Sequence, residues 1–139
     1  MLSLDRFTGP FEVDAANRSA TVGAGLRLSA LNQGLEAHGL VLPIDLGADP
    51  MVGGMVATNT GGARFIRYGD MRRHVLGLEV VLPDAQGTVL DLMRPLRKNN
   101  TGLDLKQLFI GTGGAYGLVT RAVLELRRHF GVGMVTALI

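Results

Sequence analysis

Apolar and polar residues alternate in two parts of the chain in the pattern of β-hairpins. Residues 11–14 and 19–22 are short extended runs separated by a turn-forming segment, which is typical of two antiparallel strands. Residues 74–92 repeat the arrangement, with a connection that runs from proline to glycine at residues 83–87. Alternation is expected of a strand that has one face against a core. The pattern therefore predicts two hairpins.

Helical spacing is confined to two segments. Residues 26–39 place three leucines on one helical face and end at Gly39, a common residue at a helix C-terminus. Asp104 is positioned to begin a second, short helix that runs through Phe109. Residues 118–128 alternate again and predict one more half-buried strand. Paired strands with two helices favour an α+β domain with a largely antiparallel sheet and flanking helices.

Glycine is the outlier of the composition. Half of the 20 glycines cluster at residues 23–25, 53–62 and 111–117. Such clusters mark places where the backbone takes positive φ or approaches another group closely. Residues 52–70 (VGGMVATNTGGARFIRYGD) carry so little side-chain bulk that we predict a loop there and not a packed helix. On the glycine pattern alone, a ligand-binding loop and an irregular loop without a ligand are equally supported.

Two of the glycine clusters partly match the dinucleotide-binding sequence motif. Gly23 and Gly25 follow a predicted strand, precede a predicted helix and stand about 20 residues before Asp45. Leu28 replaces the third glycine, so a tight strand-to-helix turn is the favoured interpretation. The cluster at residues 111–117 precedes a strand, so no helix N-terminus would face a pyrophosphate there.

Size and charge exclude several classes of protein. A chain of 139 residues with 47% hydrophobic content suits one folded domain. A net charge of +2 and 5% aromatic content give no support to a nucleic-acid partner, and we expect none. The absence of cysteine excludes disulfides and thiolate metal sites. No apolar run reaches membrane-spanning length and the first residues do not resemble a signal peptide, so we expect a cytoplasmic location without an integral membrane segment.

Charged side chains supply few candidates for chemistry. Five basic residues fall close together, and a solvated basic face explains them better than a patch for phosphate or an acidic substrate; they are Arg64, Arg67, Arg72, Arg73 and His74. His38 and His129 are isolated and are predicted to be surface residues. Asn100 and Asp104 suit a turn and a helix cap, while Lys98 has no explanation. No catalytic triad or set of metal ligands is visible, so we predict no catalytic and no metal-binding residue.

Several segments together resemble a known family. GLVLPIDLGADPMVGGMVATNTGGARFIRYGD, at residues 39–70, and RKNNTGLDLKQLFIGTGGAYG, at residues 97–117, resemble the FAD-binding region of the FAD-linked oxidases of the vanillyl-alcohol oxidase type. Within that group the resemblance is to the D-2-hydroxyacid dehydrogenases, which act on D-2-hydroxyglutarate, D-lactate or glycolate. The resemblance spans residues 19–126 in order.

This resemblance implies an architecture and an activity. FAD would lie between two α+β subdomains, of which this chain is the second. Residues 1–128 would form the FAD-binding subdomain, and residues 129–139 would begin a linker to a substrate domain. The parent enzyme would oxidise a small D-2-hydroxy acid to a 2-keto acid and pass the electrons to an acceptor that the resemblance leaves open. The isolated chain is then expected to bind FAD weakly and not to turn over.

The resemblance also implies a set of cofactor-binding residues. Residues 52–62 would line one side of the flavin, and residues 111–119 would close over it from the other side. The implied set is Pro43, Gly53, Gly54, Thr58, Asn59, Gly61, Gly62, Gly114, Gly117 and Val119. Tyr68 and Gly69 would support the first of these segments.

The chain departs from the family pattern at a few positions. An acid and a hydroxyl of the family are replaced by Gly113 and Ala115, a common asparagine by Met55, and a frequent aromatic by Leu103. Two alternatives remain open beside the hydroxyacid dehydrogenase. One is another enzyme of the same flavoprotein group, similar to alkyl-dihydroxyacetonephosphate synthase or to aldonolactone-oxidising enzymes. The other is a non-catalytic FAD-binding or scaffolding subunit.

Overall fold

The computed structural model describes residues 3–94 and 102–129. Its strands are short except for two of the central ones; in chain order they are β1 (Phe11–Asp14), β2 (Ser19–Gly23), β3 (Leu40–Val41), β4 (Val75–Val81), β5 (Val89–Leu92), β6 (Leu118–Glu125) and β7 (Arg127–Arg128). Its helices are α1 (Leu28–Glu36), α2 (Val52–Thr58), α3 (Phe65–Tyr68), α4 (Met71–His74) and a 3-10 helix at Leu105–Leu108.

Five of the strands form one antiparallel sheet in the order β1-β2-β6-β4-β5. Both predicted hairpins are confirmed, since β1 pairs with β2 and β4 pairs with β5. The predicted half-buried strand is β6, which lies at the centre of the sheet between β2 and β4. The strands β3 and β7 form a separate antiparallel pair. The α+β class with a largely antiparallel sheet and flanking helices is therefore confirmed.

One apolar core joins the helices to the sheet. Its fully buried members come from α1 (Leu31, Leu35), from α2 (Met55) and from the sheet (Leu78, Leu124). Burying a side chain of this size contributes about 1.5–3 kcal/mol relative to leaving it exposed. The contacts of α1 and α2 with the sheet therefore fix where the glycine-rich segments lie.

The loop predicted over residues 52–70 is wrong, because this segment contains three short helices, α2, α3 and α4. The described part of the chain thus contains four α-helices and one 3-10 helix, where the sequence predicted two helices in all. The reason is the spacing of Val52, Met55 and Val56, which fall on one helical face and are all fully buried. Each glycine costs a helix about 1 kcal/mol, and the burial of three large side chains outweighs that cost.

The two helices that the sequence did predict differ from expectation at their ends. Helix α1 ends at Glu36, and Gly39 lies beyond it with a φ of +62°, the left-handed conformation that ends many helices. Asp104 precedes the 3-10 helix as predicted, but its side chain makes no capping bond to the backbone. Its carboxylate instead accepts hydrogen bonds from the side chains of Lys106 and Gln107. Lys98, Asn100 and most of the predicted linker lie outside the described residues.

Candidate functional site

The two faces of α2 differ in bulk. Its inner face is fully buried in the core through Val52, Met55 and Val56. Its outer face carries Gly54 and, one turn later, the exposed side chain of Thr58. A Cβ added at Gly54 would meet no heavy atom within 4 Å. The outer face of α2 is therefore a nearly bare surface open to solvent.

The third glycine cluster is attached directly to the end of α2. The backbone N–H of Gly111 donates to the carbonyl of Val56 at 3.0 Å, and that of Gly113 donates to the carbonyl of Ala57 at 2.8 Å. Gly113 and Gly114 are exposed and have positive φ values of 63° and 82°. The structure thus joins two segments that lie more than 50 residues apart in sequence into one surface, which we call the glycine surface: the outer face of α2 with residues 111–114.

Arg72 holds the two parts of the glycine surface together. Its guanidinium donates to the backbone carbonyl of Gln107 at 3.2 Å, to the Gln107 side-chain oxygen at 2.5 Å and to the carbonyl of Ile110 at 2.6 Å. Its backbone N–H donates to the side-chain oxygen of Asn59 at 2.8 Å, and the Asn59 amide donates to Asp70 at 2.9 Å. Hydrogen bonds from a charged donor are short and strong, so Arg72 acts as a clamp behind the surface.

The position of Arg72 corrects the prediction of a solvated basic face. Arg64 pairs with Asp45 at 3.3 Å with both side chains exposed, and Arg73 is exposed, as predicted. Arg67 is also exposed and stacks over the Tyr68 ring at 5.2 Å. Arg72 is only partly exposed, and its acceptors lie 35 and 38 residues further along the chain. No local sequence pattern could have revealed partners at that separation.

His74 is a second exception to the solvated face. Its side chain is fully buried, and its Nδ1 atom lies 3.3 Å from the carbonyl oxygen of Glu125. Burial lowers the pKa of His74 below its usual value. It outweighs the opposite effect of the Glu125 carbonyl, which favours the protonated ring. His74 is therefore a neutral core residue at pH 7 and not part of a basic patch.

The implied cofactor-binding residues fall into two groups. The first group is at least partly exposed, on or next to the glycine surface, and consists of Gly54, Thr58, Asn59, Gly61, Gly62 and Gly114. The second group is buried and consists of Pro43, Gly53, Gly117 and Val119. The residues of the second group cannot contact a ligand unless the protein moves, because they are buried. The two groups therefore differ in what they can offer a cofactor.

Several of these glycines are required by the packing of the protein itself. A Cβ at Gly53 would lie 2.7 Å from the Leu4 side chain, and one at Gly117 would lie 2.5 Å from the Val80 side chain. A Cβ at Gly62 would collide with the backbone of Asp45. Real Cβ atoms almost never come this close to their neighbours. Glycine at these three positions is therefore explained without any ligand.

The first turn of α2 has little capacity to bind an anion. The N–H of Val52 donates to the carbonyl of Leu26 at 2.9 Å, and that of Gly53 donates to the carbonyl of Ala24 at 2.7 Å. On the outer face, the Thr58 hydroxyl donates to the carbonyl of Gly54 at 2.9 Å and lies 2.7 Å from the hydroxyl of Thr60. The surface is thus suited to flat contact and offers few free donors on this helix.

The glycine cluster at residues 23–25 is confirmed as a strand-to-helix turn. A Cβ at Gly23 or at Gly25 would collide with backbone carbonyls of Phe7 and Leu4 respectively. The N–H groups of this turn donate to carbonyls of the protein, among them Gly25 to Phe7 at 2.8 Å and Ala24 to Thr120 at 2.9 Å. The turn therefore packs against the N-terminal segment and presents no dinucleotide site.

Within residues 3–94 and 102–129, no three histidine or carboxylate side chains lie close enough together to bind a metal ion. No helix in the same ranges is long and apolar enough to cross a membrane.

Comparison with known proteins places the chain beside flavoproteins. Residues 1–93 match the family model described as FAD binding domain. The probable mitochondrial D-2-hydroxyglutarate dehydrogenase of Oryza sativa subsp. indica is 50% identical over 113 residues, which cover 80% of this chain and 20% of that protein. The mitochondrial D-2-hydroxyglutarate dehydrogenase of Bos taurus is 57% identical over 99 residues, which cover 70% of this chain and 18% of that protein.

A solved structure of alkyldihydroxyacetonephosphate synthase has the same fold. It superposes with a TM-score of 0.77 at 25% sequence identity, covering 91% of this chain and 22% of that one. The chain therefore spans about a fifth of the length of each of these proteins.

The expected cytoplasmic location is wrong by the same comparison. The rice and cattle relatives are named as mitochondrial proteins, as are those of Rattus norvegicus and Arabidopsis thaliana. The features behind the expectation were the lack of a membrane-spanning apolar run and of a signal-peptide pattern, and neither distinguishes a cytoplasmic from a mitochondrial protein.

The family match covers two thirds of the chain, and the fold neighbour and the relatives agree with it. The chain therefore belongs to the FAD-binding domain family, and its cofactor is FAD.

Proposed function

We propose that this chain is the second FAD-binding subdomain of an enzyme that oxidises a D-2-hydroxy acid to a 2-keto acid. The observation that carries the proposal is the glycine surface, in which the bare face of α2 is bonded to the 111–114 segment through Gly111 and Gly113. The names of the rice and cattle relatives support the substrate class. In this proposal residues 1–128 form the subdomain and residues 129–139 begin the linker.

The residues of the glycine surface fit a large planar cofactor. A ring system needs a flat area from which no side chain projects, and the open Cβ positions of Gly54 and Gly113 provide one. The exposed Thr58 hydroxyl lies at its edge and can accept a hydrogen bond, while its own proton is donated to the carbonyl of Gly54. The Asn59 amide is already used to hold Asp70 and Arg72. We therefore assign Asn59 the role of fixing the surface and not that of a direct polar contact.

The buried members of the implied set act from behind the surface. Gly53 lets α2 approach the N-terminal segment, and Gly117 lets the start of β6 pack against Val80. Pro43 and Val119 are buried as well. Their proposed role is to shape the cofactor surface through packing, whereas Gly54, Thr58, Gly61, Gly62 and Gly114 lie at or beside the cofactor.

The chain itself positions the cofactor in this proposal. When bound, FAD supplies the two-electron acceptor for the oxidation. The Arg72 clamp sets the spacing between α2 and residues 111–114, so that both parts of the surface meet the same ring system. His74 is buried and neutral, with its Nδ1 atom beside the Glu125 carbonyl, and is not positioned to take a proton from a substrate. Substrate binding and proton abstraction are accordingly assigned to other parts of the parent enzyme.

The hydroxyacid branch is favoured over the alternative flavoproteins by sequence identity. The named D-2-hydroxyglutarate dehydrogenases share 50% and 57% identity with the chain, against 25% for the alkyldihydroxyacetonephosphate synthase structure. A non-catalytic FAD-binding subunit would have the same glycine surface. It would differ from the enzyme only in the domains or chains that accompany it.

Titration of the 139-residue chain with FAD tests the proposed surface. Flavin fluorescence would be followed for the wild type and for Gly54→Val, whose side chain projects into the open surface without touching the protein. Gly47→Val is the matched control, because Gly47 is also exposed with no heavy atom within 4 Å of its Cβ position. We expect weak binding by the wild type and by Gly47→Val, and a loss of at least about tenfold for Gly54→Val, since a Val side chain adds a steric conflict of more than 1.4 kcal/mol.

Equal affinity of all three proteins would contradict the assignment. Turnover gives a second check: the chain with FAD, a dye acceptor and D-2-hydroxyglutarate or D-lactate should show no sustained dye reduction. Robust turnover would contradict the proposal that substrate binding lies elsewhere in the parent.

A further inference from the structure

A concave site lies at the end of the central strand β6 that is far from the glycine surface. It is a cavity of about 550 Å³ lined by the β1–β2 turn, by residues 38–40 and by Arg128 of β7. The glycine surface meets the beginning of β6, and this cavity lies just past its end. Eight residues of strand span roughly 25 Å, so the cavity is separate from the proposed cofactor surface.

Backbone hydrogen bonds hold the three segments of this cavity in place. The N–H of Leu126 donates to the carbonyl of Arg18 at 2.8 Å, which ties the β1–β2 turn to the end of the sheet. The N–H of His129 donates to the carbonyl of Gly39 at 2.8 Å, and β3 pairs with β7 so that Leu40 lies opposite Arg128. The cavity is therefore built by the fold and does not depend on the position of one loose loop.

The lining of the cavity is positively charged. Arg18, Arg128 and His38 line it, and no carboxylate does. Three acidic residues that neighbour the lining segments are engaged elsewhere or line another site: Asp14 accepts hydrogen bonds from Asn17, Glu125 pairs with Arg127, and Glu36 lines a neighbouring cavity. No residue in the lining can therefore neutralise the two guanidinium groups.

These two arginines also differ from most others in the described ranges, 3–94 and 102–129. Arg64, Arg121 and Arg127 pair with Asp45, Glu79 and Glu125 respectively. Within the same ranges the side chains of Arg18 and Arg128 make no hydrogen bond and no ion pair. Arg18 is only partly exposed and takes a φ of +52°, which few residues other than glycine adopt. The fold thus places an unpaired cation in a rare conformation at the edge of a concave site.

We propose that this cavity binds a small oxyanion with two negative charges, either a phosphate group or a dicarboxylate. A guanidinium offers a planar pair of N–H donors that matches both kinds of oxyanion. In this proposal one anion contacts both Arg18 and Arg128, which line the cavity from different segments, and His38 supplies a further polar contact at the wall. The site is independent of the FAD surface and of the proposed oxidation.

Isothermal titration calorimetry on the 139-residue chain tests the site, with inorganic phosphate in one arm and succinate in the other at constant ionic strength. The variants are Arg18→Asn, which keeps a residue that tolerates positive φ, and Arg128→Gln. Arg6→Gln is the matched control, because Arg6 is exposed and lies in the N-terminal segment that packs at the opposite end of β2.

We expect saturable binding of one anion per chain, unchanged in the control and weakened about tenfold in each cavity variant. The arm with the tighter binding identifies phosphate or carboxylate as the preferred group. Absence of saturable heat with both anions in the wild type would overturn the proposal. So would equal binding by Arg128→Gln and Arg6→Gln, a result that stands even if Arg18→Asn fails to fold.

Discussion

The turn at residues 23–25 and the glycine surface use glycine for opposite reasons. At Gly23 and Gly25 the missing Cβ makes room for backbone carbonyls of the protein's own N-terminal segment. At Gly54 and Gly113 the missing Cβ faces open space. The number of glycines in a segment therefore does not reveal a ligand site. What distinguishes the two regions is the direction in which the absent side chain would point.

The difference is sharpest between two neighbouring residues of α2. Gly53 is buried, and a Cβ there would lie 2.8 Å from that of Ala24, whereas Gly54 is exposed and unobstructed. Both belong to the same GlyGly pair and are equivalent in sequence. Only the neighbours that the fold brings to each position separate a packing glycine from a surface glycine.

Filling the packed turn should have the largest effect. Gly25→Val places a side chain against the Leu4 carbonyl, and because backbone cannot move aside cheaply we expect a loss of about 3 kcal/mol or more in the free energy of unfolding. Urea denaturation measures it. Gly47→Val, in open space, should change the same quantity by less than about 0.5 kcal/mol. A stable Gly25→Val protein would break the comparison.

Removing the clamp should have the next largest effect, on both the stability of the fold and the glycine surface. Arg72→Ala leaves the carbonyls of Gln107 and Ile110 without their charged donor, and we expect a loss of about 2 kcal/mol in unfolding free energy. FAD affinity should fall as well, because the two parts of the surface are no longer held together.

Lysine at the same position separates charge from geometry. Arg72→Lys keeps the positive charge but not the planar set of donors, so it should recover little of either loss. Arg73→Lys is the control, because Arg73 is exposed. Full recovery by Arg72→Lys would show that charge alone maintains the surface.

A methyl group at Gly54, on the exposed face of α2, should raise the stability slightly, in contrast to the losses predicted for Gly25→Val and Arg72→Ala. Gly54→Ala replaces an exposed glycine in a helix, which should stabilise the fold by about 0.5–1 kcal/mol. FAD affinity should not rise with stability, because the added methyl lies on the proposed cofactor surface. Thermal unfolding with and without FAD measures both quantities, and a destabilised Gly54→Ala protein would contradict the open position of Gly54.

The stability of the protein should depend on pH through the buried His74. The folded-state pKa of His74 is lowered by burial, so the unfolded state binds a proton more readily, and the stability contributed by the neutral ring is lost as pH falls below about 6.5. Unfolding midpoints at several pH values above and below that point measure this slope. His74→Asn should flatten it, whereas His129→Gln, at an exposed position, should leave it unchanged. An unchanged slope in His74→Asn would contradict the prediction.

Elements with local signals could be predicted from the sequence alone. The alternation of residues in β1, β2, β4, β5 and β6 and the leucine spacing of α1 were sufficient to predict the antiparallel α+β fold. The family followed from several short segments taken together, because their order and spacing are specific even where single motifs are not. The helix α2 was missed because its glycines were weighed above the helical spacing of Val52, Met55 and Val56.

Tertiary structure decided what the local signals could not. The clamp joins Arg72 to acceptors 35 and 38 residues away, and one cavity is lined by both Arg18 and Arg128, which lie far apart in sequence. Whether a glycine serves packing or a ligand depends on atoms from distant segments, such as Leu4 beside Gly53. Local patterns report only a residue's own conformational preference, whereas a binding surface is made by what the fold brings next to it and by what it leaves uncovered.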